Sequence, residues 1–139
     1  MQPYEIIEHT ADIGIRAYGQ DCPALFTHMA QGMFSLIVPP EEIKQVSRFP
    51  IAVEANDLER LLVAWLRELL FLFDTRHFLA AAFEIHHLEP TCVRATAIGE
   101  TLDPARHSLD KEVKAVTYCD LNLRRQPDGT WVAQVIFDI

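Results

Sequence analysis

The stretch NDLERLLVAWLRELLFLFDT, residues 56–75, is the strongest helix signal in this chain. Its apolar residues recur at intervals of three and four, which is the period of an amphipathic helix. They are Leu58, Leu61, Leu62, Trp65, Leu66, Leu69 and Phe73. Asn56 is followed three residues later by Glu59, a capping-box pattern, so we predict that the helix begins at Asn56. A stripe of this width is typical of a helix that packs across a sheet.

A second helix is predicted ahead of this one, from Asp21 to about Val38. Asp21 is a favourable N-cap residue, and Pro23 stands in the first turn, where its missing N–H group costs nothing. Pro39 and Pro40 cannot continue a helix and therefore end it.

The rest of the chain is predicted to be mostly strand. Residues 13–19 alternate between apolar and other side chains, as in a strand with one buried face. Pro50 places its strand at an edge or a bulge, and Asp128-Gly129 predicts a hairpin turn. The predicted strands cover 4–8, 13–19, 44–55, 78–89, 91–102, 113–125 and 130–139, with a polar loop at 103–112.

These elements predict an α+β fold in a single compact domain over residues 1–139. We expect a largely antiparallel sheet with the two main helices packed on one face. Half of the residues are hydrophobic and 23% are charged, which is an ordinary globular composition.

The chain is acidic, with a formal net charge of −8 and a pI near 5.1. This balance argues against direct binding of a nucleic-acid backbone, because such binding needs a surplus of Lys and Arg. The sequence shows no signal-peptide pattern and no apolar run long enough to span a membrane. The three cysteines, Cys22, Cys92 and Cys119, form no CxxC pair, and we expect them to be buried thiols. A cytoplasmic location follows as an expectation.

Classical enzyme motifs are absent from the sequence. The five glycines never cluster into a phosphate-binding loop. Neither the G-x-S-x-G nucleophile pattern nor the H-E-x-x-H metal pattern occurs. Hydrolase and nucleotide-enzyme functions therefore have little support.

Two acidic segments are candidates for a metal site. His9 and Asp12 lie in the turn HTAD, and Asp138 and the terminal carboxylate of Ile139 close the final strand VIFDI. The turn residues could instead hydrogen-bond their own backbone, and the two terminal carboxylates could be exposed or lie beside a Lys or Arg. If a hard cation is bound, oxygens from both segments are needed.

Other polar residues have a simpler interpretation. Lys114 opens a predicted strand and would ordinarily be exposed. Asp103, Arg106, His107 and Lys111 lie in the polar loop just before it, and we expect most of them to be solvated. His86 and His87 are adjacent on a predicted strand, so they should point to opposite faces unless a bulge intervenes.

Five segments in register make the whole chain resemble the archease family. They are HTADIGIRAYG (9–19), DLERLLVAWLRELLFLFDT (57–75), GE (99–100), EVKAVTY (112–118) and VIFDI (135–139). One departure is Cys119, where the family more often has His.

The resemblance implies a cytoplasmic protein cofactor rather than an enzyme. Archeases activate the GTP-dependent tRNA-splicing RNA ligase, promoting its guanylylation and multiple turnover in tRNA splicing and RNA repair. The family's metal ligands fall on Asp12, Asp138 and Ile139, with calcium as the usual ion and His9 nearby. Its functional lysine falls on Lys114. Two alternatives remain open: a general chaperone or interaction module with a structural metal site, and a metal-dependent phosphoester hydrolase.

Overall fold

A computed structural model describes residues 2–8 and 11–139. Two helices and eight strands form the fold. In chain order they are β1 (Tyr4–Glu8), β2 (Asp12–Gly19), α1 (Cys22–Ile37), β3 (Ser47–Glu54), α2 (Leu58–Arg76), β4 (Phe78–Glu89), β5 (Cys92–Thr101), β6 (Ala115–Val116), β7 (Asn122–Arg125) and β8 (Trp131–Asp138). A short 3-10 turn at Pro40–Glu42 follows α1.

The strands divide into two antiparallel sheets. The first has the order β1-β2-β8-β6, with β7 also paired to β8, and the second has the order β3-β5-β4. Both helices contact strands of both sheets, so they form a layer between them. The predicted α+β fold is confirmed. The observed fold differs from the prediction in one respect: the strands form two sheets rather than one.

Trp65 of α2 links both helices to the second sheet. Its side chain is fully buried, and its indole N–H donates a hydrogen bond to the carbonyl of Phe26 in α1 at 3.1 Å. Its ring packs edge-on against Phe83 of β4, with 5.6 Å between the ring centroids. Buried aromatic contacts of this kind add to the energy of area burial alone. The apolar stripe of α2 therefore lies inside the molecule, as its width predicted.

The helix starts follow the expected capping chemistry, with one correction. Asp21 accepts a hydrogen bond from the Ala24 N–H at 2.8 Å and caps α1 as predicted. The N-cap of α2 is Asp57 and not Asn56, so the predicted start is wrong by one residue. The Asp57 carboxylate accepts from the Arg60 N–H at 2.8 Å and offers a full negative charge to the positive end of the helix.

The predicted strand over 113–125 is interrupted. Only β6 and β7 are extended, and between them the chain turns at Asp120, whose φ of 51° is left-handed. Asp tolerates that conformation better than most residues do. The Leu121 N–H bonds the Tyr118 carbonyl at 3.2 Å and closes the turn. Pro50 lies on β3, an edge strand of the second sheet, as predicted.

A buried ion cluster fixes the polar loop that precedes β6. Glu100 and His107 are buried, so His107 is an exception in a loop whose polar residues were mostly expected to be solvated. The Asp103 N–H donates to His107 Nδ1 at 2.8 Å, so the ring carries its proton on Nε2 and donates it to Glu100 at 2.8 Å. Arg106 and the backbone N–H of Lys44 also donate to the Glu100 carboxylate. These hydrogen bonds, the one from Arg106 first, lower the pKa of Glu100 from 4.5 to about 2.

Gly99, the residue before Glu100, is required by the close approach of two strands. A Cβ atom at this position would lie 1.7 Å from the carbonyl oxygen of Leu79 on β4. The pairing of β4 and β5 shifts its register between Ala80 and Ala82, beside this contact. Any side chain here would therefore push the strands apart.

The cysteines are free but not buried, so the expectation of buried thiols is wrong. Cys22 and Cys92 are half-buried and Cys119 is exposed. Each stands at the start of an element or in a loop, where the surrounding layers do not cover it. Among residues 2–8 and 11–139, neither helix has the length and apolar character needed to cross a membrane.

The Glu100 cluster predicts an acid-sensitive component of stability. Because the folded-state pKa lies below the ordinary value, the carboxylate stabilises the fold above about pH 4.5, and this contribution is lost as the pH falls towards about 2. We expect Glu100→Gln to lower the free energy of unfolding at neutral pH by about 3 kcal/mol. It should also flatten the pH dependence in the acid range, as measured by urea unfolding. Glu84→Gln, at an exposed ion pair with Arg48, is the control, and equal losses in both variants would refute the assignment.

Candidate functional site

Asp12 and Asp138 lie directly opposite each other on neighbouring strands. They are partners in the antiparallel pairing of β2 with β8, which places their Cβ atoms about 5 Å apart on one face of the sheet. The next residues, Ile13 and Phe137, point the other way into the core. The two carboxylates predicted as metal ligands, 126 positions apart by number (138 − 12), are thus brought together by strand pairing.

The Asp12 carboxylate is incompletely satisfied. Its Oδ1 atom is buried and accepts no hydrogen bond from the residues that the structure describes. Of the ion pairs among those residues, none includes Asp12 or Asp138. A buried carboxylate oxygen without a partner is costly, and a like charge directly across the strands adds to the cost. A bound cation would offset both.

Ile139 follows Asp138 at the end of β8. Its apolar side chain is one of the partly buried groups that pack against the core. This packing holds the backbone of Ile139 at the same end of the strand as the Asp138 side chain. The arrangement is compatible with Ile139 as the third predicted ligand.

The donors of this site are all oxygens, which suits a hard cation. Calcium takes about six to eight oxygen ligands at about 2.3–2.6 Å and accepts irregular geometry. Asp12, Asp138 and a backbone oxygen of Ile139 could supply part of that set, with solvent or a partner supplying the rest. The residues fit calcium or a similar ion. His9, the predicted neighbour of the ligands, lies outside the described residues.

Lys114 lies beside the acidic pair through its backbone. Its N–H donates to the carbonyl of Asp138 at 2.8 Å, and the next residue, Ala115, is the pairing partner of Asp138 in β6. The side chain of Lys114 is exposed. It lines an open depression of about 320 Å³ together with Arg67, Phe71 and Asp74 of α2. The structure therefore brings Lys114 to the same end of the sheet as the carboxylates.

Arg67 holds the backbone of β6 next to Lys114, and the sequence did not reveal this role. Its guanidinium donates twice to the carbonyl of Val116 in β6, at 3.1 and 2.9 Å, and stacks over the ring of Tyr118 at 4.6 Å. The helical pattern predicts only that Arg67 faces the solvent. No local pattern identifies this contact, because its partner Val116 lies 49 positions later in the chain.

Asp74, on the same helix, is also perturbed. Burial, and then the charge of Glu112, raise the pKa of its carboxyl. A carboxylate at the edge of the Lys114 depression adds negative charge next to the exposed lysine.

The adjacent histidines do not point to opposite faces, which corrects the strand-period prediction. The pairing of β4 with β5 shifts its register between Ile85 and His87, so His86 is the extra residue of a bulge. His86 contacts the Thr96 hydroxyl at 2.8 Å, and the ligand atom of His87 lies within 4.8 Å of Cys92 Sγ. Cys92 and Thr96 are four residues apart on β5, whose pairing with β3 runs without a shift, so both rings lie on one face.

Comparison with known proteins places these residues in a family context. The model of the Archease protein family matches residues 4–139. The archease of Pyrococcus furiosus is 40% identical over the full length of both chains. That of Methanosarcina mazei is 37% identical over 98% of this chain and 95% of the relative.

Two solved structures share the fold. The solution structure of Methanobacterium thermoautotrophicum protein 1598 is 32% identical, with a TM-score of 0.87 and complete coverage of both chains. A crystal structure from Thermotoga maritima, described as that of an archease and possible chaperone, has a TM-score of 0.63 at 19% identity and covers 100% of this chain and 98% of that chain. At that identity the second structure supports the fold alone.

The opposed carboxylates predict an unusual response to substitution. In the absence of divalent cations, Asp12→Asn removes the repulsion from Asp138 and supplies an amide that can donate to it. We therefore expect the variant to be more stable by about 1 kcal/mol in a chelator-containing buffer, as measured by chemical unfolding. Asp110→Asn, at an exposed carboxylate bonded to Lys111, should not be stabilised. A less stable Asp12→Asn protein would show that the pair is held by contacts other than a cation.

Proposed function

Because this chain belongs to the archease family, we propose that it is a non-enzymatic activator of the GTP-dependent tRNA-splicing RNA ligase. In this role it promotes guanylylation of the ligase and allows multiple turnover in tRNA splicing and RNA repair, in the cytoplasm. The observation that carries the proposal is the family match over residues 4–139, supported by relatives that align along their whole length.

The charge of the chain supports a role through a protein partner. The formal net charge is −8, whereas binding of a phosphate backbone depends on positively charged side chains. In the proposed arrangement the ligase holds the RNA, and this protein contacts the ligase without a basic groove of its own. No contact with a membrane is proposed.

The acidic pair and its neighbours form the proposed working surface. Asp12, Asp138 and Ile139 would hold a divalent cation, calcium on the basis of the all-oxygen donor set. When bound, the ion supplies positive charge that neutralises the opposed carboxylates and leaves coordination positions for groups of the partner.

Lys114 supplies a second positive charge at the same corner. Its backbone is fixed by the hydrogen bond to Asp138 and by the Arg67 anchor on β6, while its side chain is free to reach outward. A lysine ammonium is suited to pair with a carboxylate or with the phosphate of a guanylate. We propose that Lys114 binds such a group on the ligase. Stabilising one conformation of the ligase over another is sufficient for activation.

The alternative of a general chaperone rested on the wide apolar face of the helix at 56–75. That face is buried in the core: Leu61, Leu62, Trp65, Leu66 and Leu69 are each fully buried. It is therefore not a surface for client proteins, and the observation that motivated the alternative no longer favours it.

The proposal is tested by ligation with the cognate ligase under an excess of RNA. Addition of this protein should raise product beyond one round per ligase molecule and increase the fraction of ligase that carries guanylate. Lys114→Ala should reduce the stimulated rate by about tenfold, which corresponds to the loss of one charge-assisted contact. Lys111→Ala, at a partly exposed lysine three residues earlier that pairs with Asp110, is the matched control.

Two outcomes would count against the proposal. If the wild-type protein never raises turnover beyond a single round, the ligase is not its partner. If stimulation occurs but Lys114→Ala and Lys111→Ala behave alike, the activating surface lies elsewhere.

A further inference from the structure

A second cluster of potential metal ligands lies at the tip of the β4–β5 hairpin, in the other sheet from Asp12 and Asp138. It consists of His87, Glu89 and Cys92. Pro90 and Thr91 form the two-residue turn, and this tight turn makes Glu89 and Cys92 direct pairing partners. His87 is two residues before Glu89 and so lies on the same face of its strand.

The three donor atoms already lie close together. His87 Nε2 is 3.0 Å from Glu89 Oε2, and Cys92 Sγ is 3.4 Å from the same oxygen. All three ligand atoms are within 4.8 Å of one another. In a tetrahedral zinc site with bonds of about 2.0–2.3 Å, neighbouring ligand atoms are about 3.5 Å apart. The observed spacing therefore needs only small side-chain rotations to accommodate an ion.

The bulge at His86 is what makes this geometry possible. It inserts one residue between Ile85 and His87, so the alternation of β4 restarts with the His87 side chain on the face of Cys92. The neighbouring ring, His86, bonds to Thr96. His86 is therefore bonded within the sheet, and His87 is directed to the cluster.

The third strand of this sheet contributes a further carboxylate. Glu54, at the end of β3, is the pairing partner of Cys92 and lines the same open depression as the other three residues. Arg94, two residues after Cys92, lines it as well. The charged and titratable groups that face the thiol are thus Glu54, His87, Glu89 and Arg94. The carboxylates outnumber the guanidinium.

We propose that His87, Glu89 and Cys92, with Glu54 as the fourth donor, bind a borderline divalent transition metal such as zinc. The set of imidazole nitrogen, carboxylate oxygen and thiolate sulfur selects this class of ion over calcium or magnesium. The site differs in donor chemistry from the all-oxygen site at Asp12 and Asp138. The inference is independent of the proposed function.

Binding involves one proton transfer at the thiol. The Cys92 thiol donates to Glu89, and burial, together with this hydrogen bond and the charge of Glu89, raises its pKa. Metal binding replaces the S–H bond with a bond from sulfur to the ion, and the proton is released to solvent. No electron is transferred.

Cobalt is the probe for this site because a thiolate bound to Co²⁺ gives a sulfur-to-metal charge-transfer absorption that oxygen ligands do not produce. The full chain, purified with its thiols reduced, is titrated with CoCl₂ and then with ZnCl₂. We expect one cobalt per chain with the charge-transfer band and with visible bands typical of four-coordination. Zinc should displace the cobalt and abolish both.

Matched variants separate the site from non-specific binding. Cys92→Ser should abolish the charge-transfer band, and His87→Asn should weaken cobalt binding by about tenfold or more. His86→Asn, at the adjacent residue, and the double variant Cys22→Ser with Cys119→Ser should retain the band. Asp12→Asn should also retain it, because the other candidate site contains no sulfur. Circular dichroism of each variant checks that the substitutions leave the fold intact.

The proposal is overturned if no charge-transfer band forms in the wild-type protein, or if the band survives Cys92→Ser. It is also overturned if His86→Asn weakens binding as much as His87→Asn does. In any of these cases the three side chains simply satisfy one another at the hairpin tip.

Discussion

The register of β2 against β8 is the constraint on which the candidate site depends. The side chains of a strand alternate between two faces, so a slip of one residue would move every apolar group to the wrong face. Ile13 and Ile15 on β2, and Val135 and Phe137 on β8, are all essentially inaccessible to solvent. Burial of these four residues fixes the register, and this register places Asp12 opposite Asp138. The core therefore holds two like charges together, an arrangement that is unfavourable unless a cation joins them.

Helix α2, which gives the strongest helix signal in the sequence, also links the core to the region around Lys114 and Asp138. The buried face of α2 brings Trp65 to the junction of α1 and β4. Arg67, two residues later, holds the carbonyl of Val116. Because β6 pairs with the end of β8, this contact fixes the backbone of Lys114 next to Asp138. One helix thus fixes both the interior packing and the position of the proposed functional lysine.

Local patterns in the sequence were sufficient for the elements and insufficient for their long-range assembly. The spacing of apolar residues predicted both helices, and alternation predicted the buried face of β2. Proximity of Asp12 and Asp138 followed only from the family resemblance, because the pairing of distant strands leaves no local signal. The same limit explains the bulge at His86 and the division of the strands into two sheets. His107 is the buried exception in a loop expected to be mostly solvated, and its burial depends on Glu100, a partner that a local pattern does not identify.

Calcium titration by isothermal calorimetry tests whether Asp12, Asp138 and Ile139 together hold a divalent cation. We expect one calcium ion per chain for the wild-type protein and for Asp110→Asn. Calcium affinity should fall by about tenfold or more in Asp138→Asn and in a chain extended by one residue beyond Ile139, since each change removes a charged ligand. Equal affinity in the wild-type protein and Asp138→Asn, or no calcium binding by the wild-type protein, would show that these residues do not hold the ion.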